Sequence, residues 1–247
     1  MSYLIIGASS GLGREIAYTF AKNKNDLIIV SRDEKDLMAI KTDLETRFNV
    51  DIKILNLNFS SIEEINSKIF FDEKIIKNLK GVLFPVGYML EGDNVNLQVK
   101  DTQNIIFANY ISITHTISKF KKYFSPDKNF SITGFGSVSG LLGRKLNSNY
   151  SASKRGLESF FESLAFENLE KNINLQFYIL GYLDTNLSFG QDLKLPKGST
   201  ERLSRIVFKN INKKFVKRYY PFFWSIVALI LKLLPFFILL KLNKFFK

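Results

Sequence analysis

The 247-residue sequence contains no cysteine and a single histidine, His115. The first absence excludes disulfides, thiolate zinc sites and cysteine nucleophiles, and the second excludes a metal centre built from several imidazoles. No low-complexity linker and no internal repeat divides the chain. The first apolar run, residues 3–6, stops at a glycine-rich loop. That is far too short for the core of a signal peptide, so a cytoplasmic setting is expected. Acidic residues are missing altogether after Glu201, whereas eleven Lys and Arg follow it.

What is present suffices for a packed core, with 46% hydrophobic and 23% charged residues, and one large domain is the default. The net charge of +12 takes its meaning from its distribution. Apart from the eleven late cations, 24 basic residues face 23 acidic ones. A balanced body with a basic, very apolar tail points to an anionic membrane surface and away from a nucleic-acid groove.

Short runs rich in Ile, Leu and Val occupy residues 3–6, 27–30, 52–55, 81–84, 130–133 and 175–180. Between them lie segments of helical period at about 12–22, 34–48, 62–76, 102–123, 150–170 and 200–212. This alternation predicts an α/β fold, a single Rossmann-type doubly wound parallel sheet covered by helices on both faces. The expected division is a dinucleotide-binding catalytic domain over residues 1–218 and an apolar, basic helical appendage over 219–247.

The first run leads into Gly7-Ala8-Ser9-Ser10-Gly11-Leu12-Gly13, and a helix follows at once. Glycine there permits a tight turn and close approach of backbone to a pyrophosphate, whose charge then sits at the helix amino terminus. Gly7, Ser9, Ser10, Gly11, Leu12 and Gly13 are therefore candidate cofactor contacts. The plainer alternative is an ordinary strand-to-helix turn. The second run ends Val30-Ser31-Arg32. A hydroxyl followed by a guanidinium suits a ribose 2′-phosphate, which favours NADP(H) over NAD(H). The competing reading leaves Arg32 solvated and gives the ribose to Asp33, which fits better as the cap of a helix beginning at Glu34.

Two Tyr-x-x-x-Lys pairs exist, Tyr18 with Lys22 and Tyr150 with Lys154, each on one helix face. The first has no polar partner upstream and reads as a surface pair. The second follows Ser137, which itself follows a sheet strand, and so belongs at the carboxyl edge of the sheet where ligands of such folds bind. Tyr150 is the chemical candidate. His115 reads as a helix-face residue, and Phe70, Phe71, Phe160 and Phe161 read as packing.

The stretches GASSGLG, Ser137, YSASK and LGYLDT, in this order and separation, resemble the short-chain dehydrogenase/reductase family over about residues 1–186. The resemblance implies that Tyr150 protonates a carbonyl oxygen while Ser137 hydrogen-bonds it. It makes Lys154 the pKa modifier of the phenol and a ribose ligand, and Asn109 the anchor of a proton-relay water. It also implies cofactor contacts at Asn58, Phe59, Gly87, Gly181, Leu183 and Thr185, with Thr185 at the nicotinamide carboxamide. Three positions depart from the family pattern: Phe84-Pro85-Val86-Gly87 replaces Asn-Asn-Ala-Gly, Leu180-Gly181 replaces Pro-Gly, and Asn58 replaces an aspartate near adenine. Within the family, SRDEKDL, FPVGYML, IIFANY and YYPFFWSIVALILKLLP are similar to bacterial reductases related to the decaprenylphosphoryl 2-keto ribose reductase type.

Residues 219–240 carry one charge, Lys232, over a length that could cross a bilayer. Pro221 and Pro235 interrupt helix formation, and a lysine near the bilayer centre costs about 2.5–3.5 kcal/mol. The preferred expectation is a helix over about 222–234 lying in the interface, with a span and a soluble lid or subunit contact as alternatives. Together these readings give an NADPH-dependent carbonyl reductase on the cytoplasmic side of the inner membrane. Its expected substrate is a lipid-linked or nucleotide-linked keto-sugar of cell-envelope glycan synthesis, and a homodimer or homotetramer is the expected assembly. The alternatives are a reductase of a lipophilic ketone, 3-oxoacyl or steroid-like, and a catalytically idle NADP-binding subunit.

Overall fold

The computed structural model describes residues 1–70, 73–121, 129–167, 172–184 and 196–242. Seven strands form one sheet in the order β3-β2-β1-β4-β5-β6-β7, every neighbouring pair parallel. They are β1 (Ser2–Ile6), β2 (Asp26–Ser31), β3 (Ile52–Asn56), β4 (Leu79–Phe84), β5 (Phe130–Ser137), β6 (Ile173–Leu180) and β7 (Phe215–Tyr220). The strand order reverses between β1 and β4, which opens a crevice at their carboxyl ends.

Both faces of the sheet are buried, and alternation along each strand divides the core in two. Leu4, Ile6, Ile28, Val30 and Phe84 point to one side and meet Leu157 and Phe161. Tyr3, Ile5, Leu27, Ile29 and Leu83 point to the other and meet Ile16, Phe20 and Val207. Burial on two sides is why these strands read as nearly unbroken apolar runs. The helices that matter to the site are α1 (Gly11–Lys22), α2 (Glu34–Phe48), α3 (Ile62–Glu64), α4 (Glu73–Lys77), α5 (Val99–Ile106), α6 (Ser112–Phe120), α7 (Ser148–Glu167) and α8 (Thr200–Asn210). Single π-helical turns, Ile65–Ile69 and Phe107–Ile111, follow α3 and join α5 to α6.

Two features of the sheet exceed the expectation. β5 runs on to Ser137, because Gly134 and Gly136 leave room for the rings of Phe161 and Phe177, either of which a Cβ would overlap. Glycines hid that half of the strand from a hydrophobic pattern. β7 was not expected at all. It is an edge strand whose charged positions are used, Lys217 meeting Glu158 at 2.7 Å and Glu162 at 2.5 Å on α7. The boundary expected at residue 218 falls inside this strand.

After Pro221 come α9 (Phe223–Leu233) and, beyond Pro235, α10 (Phe236–Leu242). Among the described residues no helix is long and apolar enough to cross a membrane. One side of α9 docks on the core through Trp224 and Ala228, and the indole lies so close to Gly181 that a Cβ there would sit 2.0 Å from Nε1. The other side leaves Ile226, Leu229, Ile230 and Leu233 exposed. Because Trp224 is a core residue, Trp224→Ala is expected to lower unfolding free energy by about 3–5 kcal/mol, measured by urea denaturation. A loss below about 1 kcal/mol would mean that α9 is a loose appendage.

Candidate active site

The candidate groups among the described residues gather around the carboxyl ends of the strands. After β1 the chain turns at Gly7, whose φ is +95°, and at Gly11, whose φ is +50°. A Cβ on Gly13 would lie 1.9 Å from the Gly7 carbonyl oxygen, so only glycine lets α1 start flush against the turn. Ser10 occupies the N-cap of α1 without a side-chain cap bond, which leaves the first N–H groups for an anion. The Ser31 hydroxyl donates to Ser9 Oγ at 2.9 Å and accepts from the Asp33 N–H at 3.1 Å, tying the ends of β1 and β2 together. Asp33 accepts from the Asp36 N–H at 3.1 Å and caps α2, as expected, while the Arg32 side chain is exposed beside it. These features fit a phosphorylated dinucleotide: a turn that needs glycine at Gly7, Gly11 and Gly13, a helix start without a side-chain cap and an exposed cation, Arg32, after the second strand.

Asn58 and Phe59 follow β3. Asn58 Oδ1 accepts from Ser60 N–H, and the Phe59 ring is buried against Phe84, 6.2 Å between centroids. Phe59 therefore offers the crevice only its backbone, as does the buried Leu12. Gly181 donates its N–H to the Tyr220 carbonyl at 2.8 Å, and Leu183 is buried in a bridge to Gly198. Thr185 lies outside the described residues.

Ser137 ends β5, and its Oγ accepts from the Ser139 N–H at 3.1 Å, capping the 3-10 turn Val138–Leu141. That uses an acceptor lone pair and leaves the hydroxyl proton free to be donated. Tyr150 lies in the first turn of α7, on the helix that follows the Ser137 turn. Burial raises its phenol above the ordinary range, while the nearby Ser137 hydroxyl and the Arg144 charge pull it part of the way back. Lys154 lies one turn on, 4% exposed, donating to the Phe135 carbonyl at 3.1 Å, with its ammonium 5.8 Å from the centre of the Tyr150 ring. Burial lowers its pKa to about 8. The ammonium lies over the ring and is bonded to the strand, and the groups acting on the phenol are Ser137 and Arg144.

Gly87 brings Asn109 and Lys154 together, since a Cβ there would sit 3.5 Å from Asn109 Oδ1 and 3.8 Å from Lys154 Nζ. Asn109 is fully buried in the π turn Phe107–Ile111, where an extra residue re-aims it toward the site. Its amide donates to the carbonyls of Tyr88 at 2.6 Å and Ile105 at 2.9 Å and accepts from the Tyr88 N–H at 3.1 Å. The side chain is thus spent on holding the loop after β4.

Sequence reasoning missed Asp93. This fully buried carboxylate accepts from the N–H groups of Tyr150 at 2.8 Å and Asn149 at 3.1 Å, and from Asn149 Nδ2 at 2.7 Å. It caps the catalytic helix from 57 residues upstream of Tyr150. A cap carried on a distant loop has no local signature. The other pair behaves as expected, Tyr18 donating to Asp43, and His115 meets Asn66 at 2.9 Å on the helix face.

The pattern of the short chain dehydrogenase family matches residues 2–193. A very-long-chain 3-oxoacyl-CoA reductase of Vanderwaltozyma polyspora is 31% identical over 196 residues, 74% of this chain and 55% of that protein. The chain thus spans about half the length of such relatives. A 3-oxoacyl acyl-carrier-protein reductase of Escherichia coli is 30% identical over 75% of this chain and 74% of its own length. Among solved structures, a short-chain dehydrogenase from Sphingobium yanoikuyae in complex with NADPH superposes with a TM-score of 0.79 at 21% identity, covering 89% of this chain and 87% of that one.

Removing the Asp93 carboxylate strands two helix N–H groups. Asp93→Ala should cost about 1–3 kcal/mol in denaturant unfolding and lower kcat at least about tenfold with KM for the dinucleotide little changed. Asp93→Asn, which keeps one acceptor, should fall between. Equal kcat for all three proteins would remove Asp93 as a positioning residue. For Lys154 the folded pKa lies below the unfolded one, so the unfolded chain binds more protons between them. The folding penalty is therefore full below about 8 and fades as pH rises above it. Lys154→Met should abolish turnover yet raise stability at neutral pH by on the order of 1–3 kcal/mol, the gain shrinking in alkali. A variant less stable at every pH would contradict this.

Proposed function

Because the chain belongs to the short chain dehydrogenase family, we propose that it is a reductase that uses NADPH to reduce a keto group on a lipophilic, membrane-held substrate. The observation that carries the chemistry is the convergence of Ser137 at the end of β5 with Tyr150 and Lys154 on α7, the buried Lys154 ammonium lying 5.8 Å from the centre of the Tyr150 ring at the edge of the crevice. The nicotinamide, when bound, supplies the hydride. Ser137, already accepting from Ser139, donates a hydrogen bond to the carbonyl oxygen and orients it. Tyr150, held neutral by burial, is in the form that can give a proton to that oxygen. Lys154, a cation in an apolar setting below about pH 8, favours the phenolate left behind. The preference for the phosphorylated dinucleotide rests on Ser31 and the exposed Arg32, with Asp33 withdrawn into its cap. Gly7, Ser9, Ser10, Gly11 and Gly13 hold the pyrophosphate in this reading.

The apolar side of α9 and α10, with Phe236 and Phe237 exposed and Lys232 and Lys241 beside them, supports docking in the interface of an anionic membrane, on its cytoplasmic face. Together with the likeness to polyprenyl-linked keto-sugar reductases, it favours a lipid-linked keto-sugar as substrate, with a homodimer or homotetramer as the working assembly. A second reading, reduction of a 3-oxoacyl chain, is favoured by the likeness to 3-oxoacyl reductases. Incubation of the protein with NADPH and panels of keto-sugars, 3-oxoacyl thioesters and lipophilic ketones, following loss of reduced nicotinamide, separates them. The expected result is turnover of a lipid-linked keto-sugar, abolished in Tyr150→Phe while NADPH still binds. Turnover of 3-oxoacyl thioesters alone would select the second reading, and unchanged activity in Tyr150→Phe would overturn the assignment.

A further inference from the structure

A cavity of about 790 Å³ lies between α8 and the edge strand β7, away from Ser137, Tyr150 and Lys154. Its walls include Lys197, Arg202 and Arg218, and among the described residues no Asp or Glu lines it. Lys217 also borders it but is paired with Glu158 and Glu162. Among the described residues neither Arg202 nor Arg218 forms an ion pair. Arg218 pairs in register with Tyr178 of β6 and so stands on the α8 side of the sheet, and Arg202 lines the same cavity from α8. The frame is fixed: Tyr220 donates its hydroxyl to the Ser199 carbonyl at 2.9 Å, tying the loop before α8 to the end of β7.

At the rim stands Phe222, 76% exposed, where the open apolar side of α9 begins and continues through Ile226, Leu229 and Leu233. Uncompensated guanidinium groups and exposed hydrocarbon thus meet at one place. Guanidinium forks suit the several oxygens of a phosphate, and an apolar strip beside them suits an acyl or prenyl chain. We propose that this cavity holds the phosphate of an amphiphile whose hydrocarbon lies along α9. The proposal rests on the membrane-docking reading of α9 and α10 and adds to it a seat for one headgroup.

The full chain is tested by co-sedimentation with vesicles of phosphatidylcholine alone, of phosphatidylcholine with phosphatidate, and of phosphatidylcholine with oleate at equal surface charge. Binding to phosphatidate vesicles is expected to be about tenfold tighter than to oleate vesicles, a preference erased by Arg202→Gln with Arg218→Gln while attachment to phosphatidylcholine and turnover of a soluble ketone persist. Equal binding to the two anionic vesicles, or a double variant that keeps the preference, overturns the phosphate site. Failure to bind any vesicle overturns the docking reading instead. The source of the phosphate is read separately with soluble farnesyl phosphate and the fluorescence of Trp224, the only tryptophan. A saturable response lost in the double variant assigns the site to a prenyl phosphate. No response together with the vesicle preference assigns it to a bilayer phospholipid, and neither signal overturns the proposal.

Discussion

A buried carboxylate at the start of the catalytic helix is the constraint on which the site depends. Asp93 is fully buried, and an unpaired charge in that position costs several kcal/mol unless hydrogen bonds satisfy it. The exposed ends of α7 supply them: the N–H groups of Asn149 and Tyr150 and the side chain of Asn149 converge on it. Each side removes the other's penalty, so the loop after β4 and the amino end of α7 are fixed together. Once α7 starts there, Tyr150 meets Ser137, and Lys154, one turn later, meets the carbonyl of Phe135 on β5. Asn109 pins the same loop at Tyr88 from the π turn. The chemistry is thus positioned by a loop tied at two points.

Much of this was legible in the sequence because it follows from local rules. The two-sided burial of β1, β2 and β4 produces apolar runs, and the glycine turn produces a motif that needs no distant partner. Asp33 was readable as a cap because its acceptor role lies three residues away. What was not legible depends on distance or on glycine. Asp93 acts on a helix 57 residues later, β5 was shortened on paper by Gly134 and Gly136, and β7 mixes charge and aromatic residues because it is an edge. Where the Lys154 ammonium points was not legible for a related reason. Spacing gives its helix face, while its direction is set by the Phe135 carbonyl on another element.

The carboxyl-terminal helices join the catalytic body more closely than an appendage would. Trp224 presses on Gly181 at the end of β6, and α9 also touches the turn that Ser137 caps. Its outward side remains apolar and basic. In the proposed docking, this element, core on one side and apolar on the other, links the membrane surface to the wall of the crevice. This geometry favours a substrate whose hydrocarbon stays in the lipid while its carbonyl reaches Ser137 and Tyr150.

The central claim is that this crevice transfers a hydride from the nicotinamide to a carbonyl carbon and a proton from Tyr150 to its oxygen. The direct measurement is a single turnover with NADPH deuterated at the transferring position of C4, on a ketone held in lipid vesicles. The account predicts deuterium on the carbinol carbon of the product, with none formed by Tyr150→Phe. Oxidation of the dinucleotide without deuterium in the product, or equal labelling by the variant, would contradict it.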